Sequence, residues 1–172
     1  MRTNRKPKTL ARDGAAEDAN ALRKSKPLDL DGFFPFLFTR ISNLLYLDSK
    51  DDLRRLGLTV PRWRVLATLV VKDGLTIGEI AVKIAMDHAS TSRIVKQMEA
   101  QKWVRRGSSN KDSRHTAVFL TQAGHDLFDQ VRPKAIEQQK RVLASLSAER
   151  REVLMEILHD ILADIDLETY MR

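Results

Sequence analysis

The segment His88-Ala-Ser-Thr-Ser-Arg-Ile-Val-Lys-Gln97 carries the residue types best suited to chemistry. On a helix, Thr91, Ile94 or Val95, and Met98 share one side at spacings of three and four. His88, Ser90, Ser92, Arg93, Lys96 and Gln97 are then left outward. Short donors and acceptors stand near the N-terminal end of that face, and positive charge stands further along. Such a face hydrogen-bonds to base edges and phosphates, with the helix dipole favouring the phosphates. Arg93 can grip guanine through two bonds, worth about 1–3 kcal/mol of discrimination. Lys96 suits a phosphate, and His88 reads equally as a donor or as a plain solvent-exposed histidine.

A second group lies at a polar tip, Gly107 to Arg114, between Val104-Arg-Arg and Ala117-Val-Phe-Leu, which read as two short strands. Lys111, Asp112 and Arg114 occupy this tip. Asp112 and Arg114 leave the same side of an extended segment, so the carboxylate can hold the guanidinium in a fixed fork. An arginine so held suits a narrow minor groove. Taken alone, the pair reads equally as an ordinary surface ion pair.

The elements that must position these groups are marked by caps. Thr59-Val-Pro61 opens a helix whose buried stripe is expected at Trp63, Leu66, Leu69 and Val70, with Asp73-Gly74 ending it. Thr76-Ile-Gly-Glu79 is a capping box, and Ile77, Ile80, Ala81 and Ile84 form the next apolar side. Ala85-Met-Asp87 makes a break, and Asp87 caps the polar-faced helix. Two short helices and a basic hairpin form a helix-turn-helix with a wing, whose partner is double-stranded DNA.

Upstream, Phe33, Phe34, Phe36, Leu37, Phe38, Ile41, Leu44, Leu45 and Leu47 predict a helix that is apolar on more than one side and is stopped by Gly57. Downstream, Thr121 caps a long helix to about Ser145 that Pro133 should bend. Ser147 caps a last helix with a wide apolar stripe over Val153, Leu154, Ile157, Leu158, Ile161, Leu162 and Ile165. A second subunit is the economical partner for that stripe. The expected fold is mainly α with a small β-wing. Its layout is a flexible basic arm at 1–27, an N-terminal dimerisation helix at 28–57, a winged helix-turn-helix domain at 58–121, and C-terminal dimerisation helices at 122–172.

Composition narrows the classes. The chain has 172 residues, 42% of them hydrophobic, with seven Gly, five Pro and no Cys. Disulfides, thiolate metal sites and thiol-based sensing are thereby excluded. No apolar run approaches the ~20 residues of a membrane span, so the cytoplasm is expected. The net charge of +7 is segregated. Residues 1–27 hold eight Lys/Arg against three Asp/Glu, residues 87–121 hold seven against three, and residues 147–172 hold three against seven. Positive charge thus sits on the tail and on the reading head.

Three segments together resemble the MarR family. They are Leu58-Thr-Val-Pro-Arg-Trp-Arg-Val-Leu66, Ser92-Arg-Ile-Val-Lys-Gln-Met-Glu99, and Asp112-x-Arg114-x-x-x-Val118-x-Leu120-Thr121-x-Ala-Gly124. The resemblance is close over Leu58 to Gly124, and element order extends it to roughly 28–170. It implies a winged-helix repressor that dimerises through its first and last two helices and binds a pseudo-palindromic operator until a small ligand releases it. By position, it implies His88, Ser90, Ser92 and Arg93 in the major groove, and Arg114, held by Asp112, in the minor groove. The family often has Gln where Arg62 stands, which leaves that position's role open.

The resemblance also implies an effector site between the reading head and the dimerisation helices. Phe34, Phe38 and Trp63 could wall an aromatic ring there, and Arg40 or Arg64 could pair with an acid. The expected effector is an aromatic or phenolic acid, or its coenzyme A thioester, and no other cofactor is expected. Neither a metal nor catalysis is expected. His88, His115, His125 and His159 are scattered, and no glycine-rich phosphate loop or HExxH is present. The competing reading is a sequence-neutral architectural DNA-binding protein, which also needs a basic tail and a wing.

Overall fold

The computed structural model describes residues 29–108 and 116–165. The chain divides into two units, Met1–Ile41 and Ser42–Arg172. Helix α1, Phe34–Arg55, runs through the boundary.

In the first unit the amide of Phe33 bonds the Leu30 carbonyl, closing a turn that leads into α1. The rings of Phe34 and Phe38 lie 5.6 Å apart at 32°. The Thr39 hydroxyl donates to the Pro35 carbonyl at 2.8 Å. The large apolar side chains here stay exposed, Phe34 and Phe38 at 50% each.

In the second unit the C-terminal part of α1 is followed by α2, Val60–Val71; β1, Leu75–Thr76; α3, Ile77–Ile84; and α4, His88–Ala100. Then come β2, Val104–Ser108; β3, Thr116–Leu120; α5, Gln122–Val142; and α6, Ala148–Asp164. Each of α2 to α6 begins with a side-chain oxygen capping a free amide: Thr59, Thr76, Asp87, Thr121 and Ser147. At Thr76 the bond is reciprocal, because the Glu79 carboxylate accepts from the Thr76 amide at 2.8 Å.

The sheet has the order β1-β3-β2 and is antiparallel throughout. Val104 faces Leu120 and Ser108 faces Thr116 across the hairpin. The short strand β1 was not expected from the sequence. Thr76 read only as a helix cap, but Leu75 and Thr76 pair with Val118 and Ala117.

The core gathers Val65, Leu66 and Leu69 of α2, Ile80 and Ile84 of α3, and Val95 and Met98 of α4. Val104, Val118 and Leu120 of the hairpin, Leu127 and Val131 of α5, and Leu53, Leu58 and Leu75 also belong to it. One expectation needs correction here. Val70 is 37% exposed, and Val65 is fully buried in its place. The apolar stripe of α2 lies one helical step further round, because Val65 and Leu66 both face the core. Helix α6 has no buried residue, and Val153, Ile157 and Leu162 are about half exposed.

Candidate nucleic-acid interface and cavity

The α3–α4 turn is built by the backbone. Ala85 takes the left-handed conformation at φ 52° and donates to the Val82 carbonyl at 3.2 Å, while Met86 donates to the Ala81 carbonyl at 3.0 Å. Asp87 then caps α4 by accepting from the Ser90 amide at 2.7 Å. That backbone bond, with the Ser90 hydroxyl second and the charge of Arg93 after it, holds the Asp87 carboxyl below the usual carboxylate range.

Thr91, Val95 and Met98 anchor α4 from below and are wholly buried. The Thr91 hydroxyl donates to the Asp87 carbonyl at 2.9 Å, so its burial leaves no polar group unmatched. His88, Arg93, Lys96 and Gln97 are exposed, and Ser90 and Ser92 are half-buried. The structure thus brings all five predicted residues of this helix onto one element. Arg93 leans back to the Ser90 hydroxyl at 3.0 Å. Neither Arg93 nor Lys96 has an ion-pair partner among the described residues.

The hairpin is tied to α4 by Arg106, whose Nε lies 3.3 Å from the Glu99 carboxylate. The Arg105 guanidinium stacks over Phe119 at 4.5 Å. The predicted tip residues Lys111, Asp112 and Arg114 lie outside the described residues.

Behind the wing, Thr121 and Gly124 join α5 to the end of α4. The Thr121 hydroxyl donates to the Lys102 carbonyl at 2.6 Å and accepts from the Gly124 amide at 3.2 Å. A Cβ at Gly124 would overlap the Trp103 carbonyl oxygen. The backbone of α5 therefore passes too close to residue 103 for any side chain at 124.

Arg62, whose role the sequence left open, spans three neighbours. One guanidinium nitrogen donates to the Gly57 carbonyl at 2.9 Å and the other to the Gln97 side-chain oxygen at 2.9 Å. The same group lies 5.9 Å from the Trp103 ring centre.

A cavity of about 380 Å³ lies among α1, α2 and α5 of the second unit. Leu45, Tyr46, Trp63, Arg64, Val131 and Lys134 are among its walls. Trp63 also stacks on Phe128 at 5.1 Å and 12°, so its ring is fixed from the far side. Arg64 is exposed and has no hydrogen-bond or ion-pair partner among the described residues. At the rim, Gln138 donates to the Leu45 carbonyl at 2.9 Å and to the Asp48 carboxylate at 2.8 Å, and Arg141 pairs with Asp48. The bond from Gln138, followed by those from Arg141, keeps the Asp48 carboxyl below its ordinary range against some desolvation.

Of the five residues expected at a ligand site, Trp63 and Arg64 line this cavity. Phe34, Phe38 and Arg40 belong to the first unit. The Asp48–Gln138–Arg141 clamp has no signal in the sequence, because its partners lie 90 and 93 residues apart. Gln97 did have one. It stands four residues after Arg93, on the same helical row. Among the described residues no three His, Cys, Asp or Glu gather as for a metal ion, and no helix is long and apolar enough to cross a membrane.

A family model described as the MarR family matches residues 56–115. The Bacillus subtilis (strain 168) HTH-type transcriptional regulator YdgJ is 29% identical over 102 residues, which is 59% of this chain and 62% of that protein. The HTH-type transcriptional regulator TtmR of Methylorubrum extorquens (strain PA1) is 34% identical over 70 residues, which is 41% of this chain and 36% of that protein. The chain therefore spans less than two thirds of the length of either regulator. Among solved structures, the MarR family transcriptional regulator SPO1453 of Silicibacter pomeroyi DSS-3 is 32% identical. That alignment covers 77% of this chain and 97% of that one, with a TM-score of 0.65.

Proposed function

The chain belongs to the MarR family, and from that membership we propose that it is a sequence-specific, DNA-binding transcriptional repressor, acting in the cytoplasm as a homodimer and answering to a small-molecule effector. The observation that carries this reading is the division of α4. One face is wholly buried at Thr91, Val95 and Met98, and the other presents donors, acceptors and positive charge that has no ion-pair partner among the described residues. His88, Ser90, Ser92 and Arg93 read the major groove, and Lys96 meets a phosphate. Lys111 and Arg114, the latter held by Asp112, serve the wing in the minor groove.

The homodimer is supported by the exposed apolar rows of α1 and α6, where Leu44, Leu47, Val153, Ile157 and Leu162 lack a cover. The domain layout follows: an arm at 1–27, dimerisation segments at 28–57 and 122–172, and the reading domain at 58–121. A two-fold dimer matches a pseudo-palindromic operator.

The effector is an aromatic or phenolic acid, or its coenzyme A thioester. The volume of the cavity suits a small organic ligand. Trp63 offers a fixed aromatic wall, and Arg64 offers a cation for the acid.

The test is fluorescence anisotropy with labelled DNA from upstream of the gene, at near-physiological salt with excess scrambled competitor. Affinity of roughly 10⁻⁸ M or better that survives the competitor is expected. Adding aromatic acids or their thioesters to that complex should then weaken it, and Arg64→Ala should blunt the response. Binding erased by the competitor, and equal losses by Arg93→Ala on all DNA, would instead favour an architectural protein.

A further inference from the structure

We propose that Arg62 is a positioning residue that turns the Gln97 oxygen toward itself and leaves the NH₂ to read DNA, setting a base preference next to the one set by Arg93. This rests on the reading of α4 as the DNA-reading helix. Gln97 lies four residues beyond Arg93, about 6 Å further along the same helical row. It is exposed on the outward face.

A glutamine amide ordinarily offers both an acceptor and a donor. With both, it recognises adenine through two bonds, one taken from the adenine amino group and one given to its ring nitrogen. Here Arg62 removes that choice. A guanidinium only donates, so the amide half facing it must be the oxygen. The bond is 2.9 Å long.

The other guanidinium nitrogen is tied to the Gly57 carbonyl at 2.9 Å, and the group rests beside Trp103. Arg62 is therefore itself held and cannot follow Gln97 if the amide turns. The Gln97 NH₂ has no protein partner among the described residues. What α4 presents outward at this position is the NH₂, with the oxygen turned to Arg62 and one of its two lone pairs engaged. Such a group favours base edges rich in acceptors, guanine N7 and O6 or thymine O4, and disfavours adenine.

Selection from random DNA, followed by anisotropy on single-base variants of the enriched site, tests this. For the wild-type protein we expect guanine or thymine at the step that Gln97→Ala relaxes. Arg62→Ala frees the Gln97 oxygen and should shift that one step toward adenine by about tenfold. Arg62→Lys keeps the charge, but an ammonium cannot bridge both carbonyl oxygens in one plane. It should shift the same step while leaving overall affinity near that of the wild type. In the double variant Arg62→Ala/Gln97→Ala the shift toward adenine should vanish. Thermal melting confirms that each variant is folded, and Arg62→Lys serves if Arg62→Ala is not.

Equal loss of affinity on all sequences by Arg62→Ala would overturn the inference, since it would mean a phosphate contact. A motif that Gln97→Ala leaves intact would overturn it too, without touching the regulator reading. No enriched motif for the wild-type protein would overturn the regulator reading and this inference with it.

Discussion

Replacing Gly124 by Ala adds one methyl group where the structure has no room. That carbon would overlap the Trp103 carbonyl oxygen, and would stand 2.9 Å from Leu120 Cδ2 and 3.2 Å from the Trp103 carbonyl carbon. Two of these three atoms are backbone, so a side-chain rotation cannot relieve the clash. Either α5 withdraws from residue 103 or the turn before β2 that carries Trp103 yields. Withdrawal stretches the bonds from the Thr121 amide to the Trp103 carbonyl, 3.1 Å, and from the Thr121 hydroxyl to the Lys102 carbonyl, 2.6 Å. Overpacking of this kind costs about 3 kcal/mol, and weakening two hydrogen bonds adds about 1 kcal/mol. Against this, Ala gains about 1 kcal/mol over Gly inside a helix. The net expectation is a loss of about 3 kcal/mol, or a fall in Tm of roughly 6–12 °C. Urea titration and calorimetry measure it. Gly78→Ala is the control, because a Cβ there meets nothing within 4 Å and the same helix gain stands alone. A Gly124→Ala protein within 2 °C of the wild type, or a Gly78→Ala protein equally destabilised, would refute the argument from close approach.

Ala85→Gly should raise stability by about 0.5–1 kcal/mol, since the turn at φ 52° strains any side chain; a lower urea midpoint would contradict this. Asp87 is an acid with a depressed folded pKa, so its capping stabilises above the unfolded value. That contribution disappears as pH falls from the ordinary 3.8 through the lower folded value. Asp87→Asn keeps a capping oxygen but does not titrate, so its urea midpoint should fall less steeply than the wild type's in that acid window; parallel curves would reject the assignment. Lys96→Ala should weaken binding on all sequences alike and reduce the salt slope of log K by about 1. A change in base preference would instead move Lys96 from phosphate to base. With a cognate aromatic acid bound, amide exchange should slow in α2 and α5 and stay unchanged in α4. Protection appearing first in α4 would place the ligand elsewhere.

The sequence showed the elements where a side chain announces its own backbone partner. Thr59, Thr76, Asp87, Thr121 and Ser147 all cap helices as their neighbours suggested. The buried face of α4 was readable for the same reason, since Thr91, Val95 and Met98 recur at helical spacing. What stayed hidden depends on chain segments far apart. Strand β1 exists only because Val118 and Ala117 lie opposite Leu75 and Thr76. Gly124 looked like part of a motif, and only the passage of residue 103 past α5 explains it. Arg62 had no assigned role because its partner Gln97 is 35 residues away and on another helix.

Among the described residues, four take positive φ: Gly57, Gly74, Ala85 and Lys102. Ala85 directly follows α3, and Gly57 and Lys102 lie two residues past the ends of α1 and α4, whereas α2 ends at an extended Lys72 and Gly74 turns the chain into β1. A left-handed stop reverses the chain within one or two residues and spends the last helical carbonyls on the returning backbone. Lys102, for instance, donates to the Glu99 carbonyl at 2.9 Å and Trp103 to that of Met98 at 3.0 Å. Of the three left-handed stops, one is a glycine, Gly57, and readable in the sequence. The other two, at Ala85 and Lys102, bracket α4 and carry strain that a glycine would relieve. Strain persists only where the surroundings over-determine the conformation. Here those surroundings are the buried Thr91, Val95 and Met98 beneath α4 and the Thr121 hydroxyl on the Lys102 carbonyl. The reading helix is therefore fixed at both ends and along its underside. On the proposed reading, a molecule in the cavity would act on α4 by shifting α2, whose Val60, Trp63 and Arg64 line that cavity, and not by remaking the outward face of α4.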